Sequence, residues 1–220
     1  MPATNACPVC RGSDIGHFLS VDNKDYWRCR ACAATFLDTA QLPGDHDERE
    51  RYEQHRNDST DPAYREYLDR LAVPLLERLP PNQSGLDYGC GPAPALALIL
   101  TEAGHTMRLY DPLFLPDASA LERTYDFITC SEVVEHFHHP ADEFARLDRL
   151  LRPGGWLAVM TRFLKDDALF ARWHYRRDST HVVFYNETTF GRISARFGWQ
   201  CELPRPDVVL MHKPLERNQT

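Results

Sequence analysis

Nowhere in the 220 residues does an apolar run approach the ~20 residues that span a bilayer. The opening MPATNACPVC also has no hydrophobic stretch of the signal-peptide kind. Both absences predict a cytoplasmic protein with no membrane partner. Net positive charge is missing as well: 25 Lys and Arg against 32 Asp and Glu leave a formal charge of −7, which argues against broad, nonspecific nucleic-acid binding. No internal repeat or low-complexity tract occurs, which excludes solenoid and tail-like architectures. What is present, 43% apolar and 26% charged residues, is ordinary for a folded chain. The length accommodates one full-sized core plus a small appendage.

Seven cysteines is an odd number, and four of them form two CxxC pairs, Cys7/Cys10 and Cys29/Cys32, in the spacing C-x2-C-x18-C-x2-C. In a reducing compartment such pairs favour a metal over a disulfide. Two CxxC knuckles supply the four thiolates of a tetrahedral zinc site. A redox CxxC is the rival for either pair alone. Residues 1–40 therefore read as a zinc ribbon in which the metal stands in for a core. Cys90, Cys130 and Cys201 read as small buried residues.

Residues 41–60, QLPGDHDERERYEQHRNDST, are charged and nearly free of aliphatics, as in a linker or a solvated helix. Tyr64, Tyr67, Leu68, Leu71, Leu75, Leu76 and Leu79 then recur at three- and four-residue steps, the period of an amphipathic helix. Pro74 should kink or divide that helix. From residue 81 to 220 strand-like and helix-like pieces alternate: GLDY, PALALILTEAG, TMRLYD, YDFITC, ADEFARLDRLL, the break RPGG and the strand WLAVMT. Such alternation predicts an α/β domain on a mainly parallel sheet. A helix capped by Asn186 and stopped by Gly198 follows, then strands WQCEL and DVVLMHK separated by Pro204 and Pro206.

LDYGCGPAPALALIL puts Asp87 at a strand end, Gly89 and Gly91 in the turn, and Pro94 in the first turn of a helix. Glycine lets backbone amides at a helix N-terminus approach a ligand closely. Asp111, twenty residues after Gly91 at the end of TMRLYD, stands where a carboxylate accepts from ribose hydroxyls. A dinucleotide fingerprint would need a third glycine, and that position is Pro94. Asp87 would also repel a pyrophosphate. The same carboxylate suits a phosphate-free nucleoside bearing an ammonium and a sulfonium, which is S-adenosylmethionine.

DYGCGPAP, RLYD, YDFITCSEVVEH and LLRPGGWLAVMT, in this order and spacing, resemble the successive motifs of class I S-adenosylmethionine-dependent methyltransferases, especially the ubiquinone-pathway O-methyltransferases. The resemblance covers residues 85–162. It implies a Rossmann-like sheet with helices on both faces, Gly89 and Gly91 at the methionyl end, Asp111 at the ribose and Ser131 beside the cofactor. There are two departures. Ala93 stands where the family commonly has a third glycine, and only thirteen residues separate Asp111 from Tyr125, too few for a full helix, strand and loops. The sheet should be shortened at that edge.

SEVVEHFHHP places Glu132, Glu135 and His136 at i, i+3 and i+4, so that one helical turn would present all three on one face. Converging carboxylates and an imidazole suit a divalent ion, with His181 of RRDSTHVVFY, or failing it His174, as a further ligand. This arrangement also resembles metal-dependent methyltransferases, in which a magnesium or manganese ion beside the methyl donor activates an acceptor hydroxyl. The bland alternative is a solvated first helical turn whose carboxylates oppose the helix dipole. Without a metal, His136 or His181 is the candidate general base. Trp173, Tyr175, Arg176, Arg177 and Tyr185 suggest a substrate lid.

The expected function is methyl transfer from S-adenosylmethionine to an oxygen of a small-molecule acceptor, with a structural zinc ribbon in front. One rival is an RNA- or ribosome-directed methyltransferase whose ribbon and basic segment 172–177 dock nucleic acid. Another is a noncatalytic binding protein that keeps the cofactor fold, motivated by Ala93 and the short sheet edge. The sequence leaves the oligomeric state open.

Overall fold

In the computed structural model, which describes residues 5–44 and 59–215, the first element is an antiparallel meander of β1 (Ile15–Val21), β2 (Lys24–Cys29) and β3 (Thr35–Leu37). Most of the charged stretch 41–60 lies outside the described residues. Helix α1 (Pro62–Leu76) begins at Asp61, whose side chain accepts from the Ala63 N–H, with Pro62 in the first turn. The helix is not divided at Pro74: it runs on to Leu76, so the proline sits in its last turn and Leu79 falls beyond it.

The second sheet is assembled from β4 (Ser84–Tyr88), β5 (Thr106–Tyr110), β6 (Tyr125–Ser131) and β7 (Leu151–Met160), with helix α2 (Ala95–Glu102) between β4 and β5 and helix α3 (Pro140–Leu150) between β6 and β7. β7 starts earlier than WLAVMT suggests. Tyr125 faces Leu151 but Phe127 faces Trp156, so RPGG is accommodated as a bulge, with Gly154 at φ 81°. The chain closes with the short β8 (Val183–Phe184), helix α4 (Glu187–Phe197), β9 (Gln200–Arg205) and β10 (Val208–His212). Pro204 lies within β9, which it can do because β9 is an edge strand.

The strand order is β5-β4-β6-β7-β10-β9, parallel through β7 and antiparallel thereafter. This is the expected α/β sheet, and its short edge is β5: only a 3-10 turn, Ala118–Glu122, intervenes before β6. Alternate residues of the central strands face opposite cores, as the period of two requires. Phe127, Ala158, Met160, Val208 and Leu210 pack with Leu68, Leu71, Leu75 and Leu96 of α1 and α2. Ile128, Leu157, Val159, Val209 and Met211 pack with Phe144 and Leu147 of α3 and Phe190 and Ile193 of α4.

The second core does not stop at the helices, because Cys7, Tyr26, Cys29, Cys32 and Phe36 belong to it. β8 supplies the fourth strand of the meander sheet, with Phe184 opposite Thr35 and Val183 opposite Phe36. Among the described residues no helix is long and apolar enough to cross a membrane.

Candidate functional site

The turn after β4 leaves the helical and extended regions twice, with Gly89 at φ 79° and Gly91 at φ 62°, where L side chains are strained. Their surroundings differ. A Cβ on Gly89 would lie 2.6 Å from both methyl groups of Val133, whereas one on Gly91 would meet nothing within 4 Å. Gly91 thus borders open space in which a ligand can reach the backbone. The turn is tied to the end of β5 by Gly89 N–H to Tyr110 O, 2.7 Å, and Cys90 N–H to Tyr110 O, 3.2 Å.

Asp111 acts as a staple. Its Oδ2 accepts from Gly91 N–H at 3.0 Å, and its Oδ1 accepts from Leu113 N–H at 2.9 Å and Phe114 N–H at 3.0 Å. A carboxylate offers about four acceptor sites, so three amides leave room for a ribose hydroxyl. Asp87 is buried beneath the turn and accepts from Thr129 Oγ1 at 2.8 Å. Burial pushes its carboxyl up to about 6; the Thr129 bond opposes this rise and the nearby Asp111 adds to it. A buried carboxylate held this near neutrality is poised for a cationic ligand group, and the residues present fit S-adenosylmethionine in that respect. Ser131 ends β6, opposite Met160 and half-buried.

The structure brings Glu135, His136 and His181 together, with one ligand atom from each within 4.8 Å of the others. Glu132 is not part of that group. It takes φ 53° and the following turn is a 3-10 turn of only Val134–His136, so the single helical face drawn from i, i+3, i+4 spacing does not form. Its carboxylate instead accepts from Tyr67 Oη of α1 at 2.8 Å. Glu135 is fully buried; its Oε1 accepts from Tyr175 Oη at 2.5 Å, and its Oε2 has no hydrogen-bond partner among the described residues. Burial, then the charge of Glu132, pushes the Glu135 carboxyl well above its ordinary range. Both imidazoles are oriented through Nδ1, His136 on Thr180 O at 3.0 Å and His181 on Tyr175 O at 2.7 Å. A carbonyl accepts only from N–H, so Nε2 is the basic nitrogen of each ring.

At the other end of the core, Cys7 Sγ lies 3.6 Å from Cys32 Sγ and Cys10 Sγ 3.5 Å from Cys29 Sγ, with all four within 4.8 Å of one another. Zinc–sulfur bonds of about 2.3 Å set tetrahedral sulfurs roughly 3.8 Å apart. The cluster fits. The two knuckles repeat one geometry: Arg11 N–H bonds Cys7 O and Ala33 N–H bonds Cys29 O, both at 2.9 Å, and Arg11 and Ala33 both take positive φ.

A family model described as "Methyltransferase domain" matches residues 54–203. The chain belongs to this family. A ubiquinone biosynthesis O-methyltransferase of Sodalis glossinidius is 33% identical over 72 residues, which are 33% of this chain and 29% of that relative. The matched segment therefore spans under a third of the relative's length. Among solved structures, the 1,6-didemethyltoxoflavin-N1-methyltransferase of Burkholderia thailandensis superposes with a TM-score of 0.56 at 16% identity, over 90% of this chain and 98% of that one. An O-methyltransferase family protein from the same organism gives 0.52 at 15% identity, over 77% of this chain and 64% of that one. At such identities the likeness is one of fold, the class I methyltransferase fold.

Within this methyltransferase-domain chain the segment expected as a lid divides. Trp173 lines a cavity of about 430 Å³ with Tyr67, Arg162, Phe163 and Lys165. Tyr185 is instead a core residue whose hydroxyl bonds Val134 O at 2.9 Å. Arg176 is buried against the ribbon, donating to Asp22 at 2.6 Å, while Arg177 is exposed. Cys130 is buried as expected, but Cys90 is half-buried and Cys201 is exposed on β9. Sequence reasoning missed Tyr67, Thr129 and the pair Arg162 and Lys165. The only signal for the last two was their position just past a buried strand.

Gly89→Ala is expected to destabilise the fold by roughly 2–4 kcal/mol, combining overpacking against Val133 with the left-handed backbone penalty. Gly91→Ala should lose only the latter, about 1 kcal/mol. Thermal melts separate the two; equal losses would show that Val133 does not gate this turn.

Proposed function

We propose that this chain moves a methyl group from S-adenosylmethionine to an oxygen of a small-molecule acceptor. The observation that carries the reading is the buried Asp87 beneath two positive-φ glycines and beside Asp111, at the carboxyl ends of parallel strands where such sheets bind ligands. When bound, S-adenosylmethionine supplies an electrophilic methyl on a sulfonium, so the protein need only align the acceptor and accept one proton. Asp87 faces the cationic methionyl end, Asp111 the ribose and Ser131 the space between cofactor and acceptor. Without an ion in their cluster, His136 or His181 takes the acceptor proton at Nε2 as the new carbon–oxygen bond forms and the carbon–sulfur bond breaks.

Glu135, His136 and His181 also fit a divalent ion, because the buried Glu135 Oε2 lacks a partner among the described residues and both imidazoles are already oriented. An ion there would lower the pKa of an acceptor hydroxyl. One carboxylate and two imidazoles suit manganese or a later transition metal better than magnesium, which prefers oxygen ligands. The four cysteines hold a structural zinc.

Calorimetry tests the reading. S-adenosylmethionine and S-adenosylhomocysteine should bind, and NAD and ATP should not; the reverse preference ends the proposal. Because the folded Asp87 ionises at about 6, affinity for the cationic cofactor should fall as pH drops through that value, by up to about tenfold per pH unit below it. Asp87→Asn should flatten this dependence. The same raised carboxyl means that the unliganded fold loses stability as pH rises from about 4 to about 6, since the native state holds the proton that the unfolded state has released.

A further inference from the structure

The cavity of about 430 Å³ beside Glu132 is unusual for so acidic a chain, because Arg70, Arg162 and Lys165 converge on it. Arg70 is neutralised by a two-pronged pairing with Asp207, Nε to Oδ2 at 3.0 Å and Nη2 to Oδ1 at 2.7 Å. Arg162 and Lys165 are exposed and form no ion pair among the described residues. Arg162 lies within electrostatic reach of the Glu132 carboxylate but is not locked to it, so two exposed cations at one concave wall remain available to an anion there. A guanidinium additionally matches the planar fork of a carboxylate or phosphate.

Position ties this wall to the chemistry. The Arg162 backbone N–H lies 3.4 Å from Tyr175 Oη, which in turn bonds Glu135 at 2.5 Å. Tyr67, another lining residue, holds Glu132. Trp173 gives the cavity an aromatic wall, and its ring is braced by Tyr175 at 5.1 Å and Phe184 at 5.9 Å between centroids. Aromatic wall and cationic end therefore share one cavity, and through Tyr175 and Tyr67 that cavity borders the residues that hold Glu135 and Glu132. Resting on the methyl-transfer reading, we propose that the acceptor is an aromatic molecule bearing an anionic group, a carboxylate or a phosphate, which Arg162 and Lys165 receive while its ring lies against Trp173.

The test is calorimetry on the full chain saturated with S-adenosylhomocysteine, titrated with benzoate, phenyl phosphate and phenol. One or both anions should bind at least tenfold more tightly than phenol, and whichever is preferred identifies the anionic group. The double variant Arg162→Ala, Lys165→Ala should erase that preference and leave affinity for S-adenosylhomocysteine unchanged, and Trp173→Leu should weaken all three probes. Because Arg162 and Lys165 are exposed, their removal should not alter the melting temperature. Equal binding of phenol and the anions, or an unchanged preference in the double variant, would each overturn the proposal. Failure of S-adenosylhomocysteine itself to bind is a separate result that bears on the methyl-transfer reading.

Discussion

Chelation of the ion assigned to Cys7, Cys10, Cys29 and Cys32 is expected to unfold residues 5–44 and to loosen the segment carrying His181. Zinc contributes about 10–16 kcal/mol to comparable four-ligand modules, against a total domain stability of about 5–15 kcal/mol. The damage should spread because the ribbon is stitched to the rest of the chain through backbone. Leu37 N–H bonds Val182 O at 2.9 Å, and Val182 N–H bonds Glu135 O at 2.9 Å. Val182 therefore links the ribbon directly to the Glu135 cluster. Asn186 Nδ2 and Thr189 Oγ1, from the start of α4, donate to Ala33 O at 3.0 Å and Cys32 O at 2.9 Å. Amide hydrogen exchange at Val182 and Val183 reports the effect: protection should be lost with chelator or in Cys29→Ser. An unchanged melt in chelator, with less than one zinc per chain by elemental analysis, would remove the ion from the account.

Replacement of Glu135 by Gln should separate chemistry from packing. The amide oxygen can still accept from Tyr175, and the side chain keeps its size, so the melting temperature should hold or rise at neutral pH, where a buried carboxylate is least favourable. Methyl transfer should nonetheless fall, because the ion that Glu135, His136 and His181 would hold lowers the pKa of the acceptor hydroxyl. Manganese titrated into the variant should bind at least tenfold more weakly than into the parent chain, a readout that does not depend on knowing the acceptor. Unaltered manganese affinity would show that Glu135 is a structural partner of Tyr175 and nothing more.

The parts of the molecule written in local chemistry were legible in the sequence. Asn186 and Gly198 bracket α4 as expected: Asn186 and Thr189 form a reciprocal capping box, and Gly198 takes φ 69°. The glycine turn and the two cysteine knuckles are equally local, because each is fixed by residues only a few positions apart. The short sheet edge followed from chain length alone, since thirteen residues cannot hold a full helix and strand.

Long-range pairings were not legible. Spacing put Glu132 on a helical turn with Glu135, but Tyr67, sixty-five residues earlier, holds its carboxylate and the turn tightens instead. β8 is two residues long, too short for any periodicity, and only its pairing with β3 defines it. His181 could be proposed as a ligand from its residue type, yet what brings it to Glu135 is the path of the backbone through Val182. Arg176 looked like a recognition residue because a basic, aromatic segment surrounds it. Its partner Asp22 lies 154 positions away.

That pairing limits how the protein can be cut. The Arg176 side chain is 2% exposed, with Asp22 of the β1–β2 turn and the ring of Tyr26 as its company. A shortened chain that began at α1 would be left with a cation held only by the Ala171 carbonyl, a bare row of Phe170 and Phe184 rings that now pack edge-on against Tyr26, and a strand with no neighbour. The amino-terminal segment is thus no detachable tag, and expression of the catalytic portion alone would yield an aggregating fragment rather than a minimal enzyme.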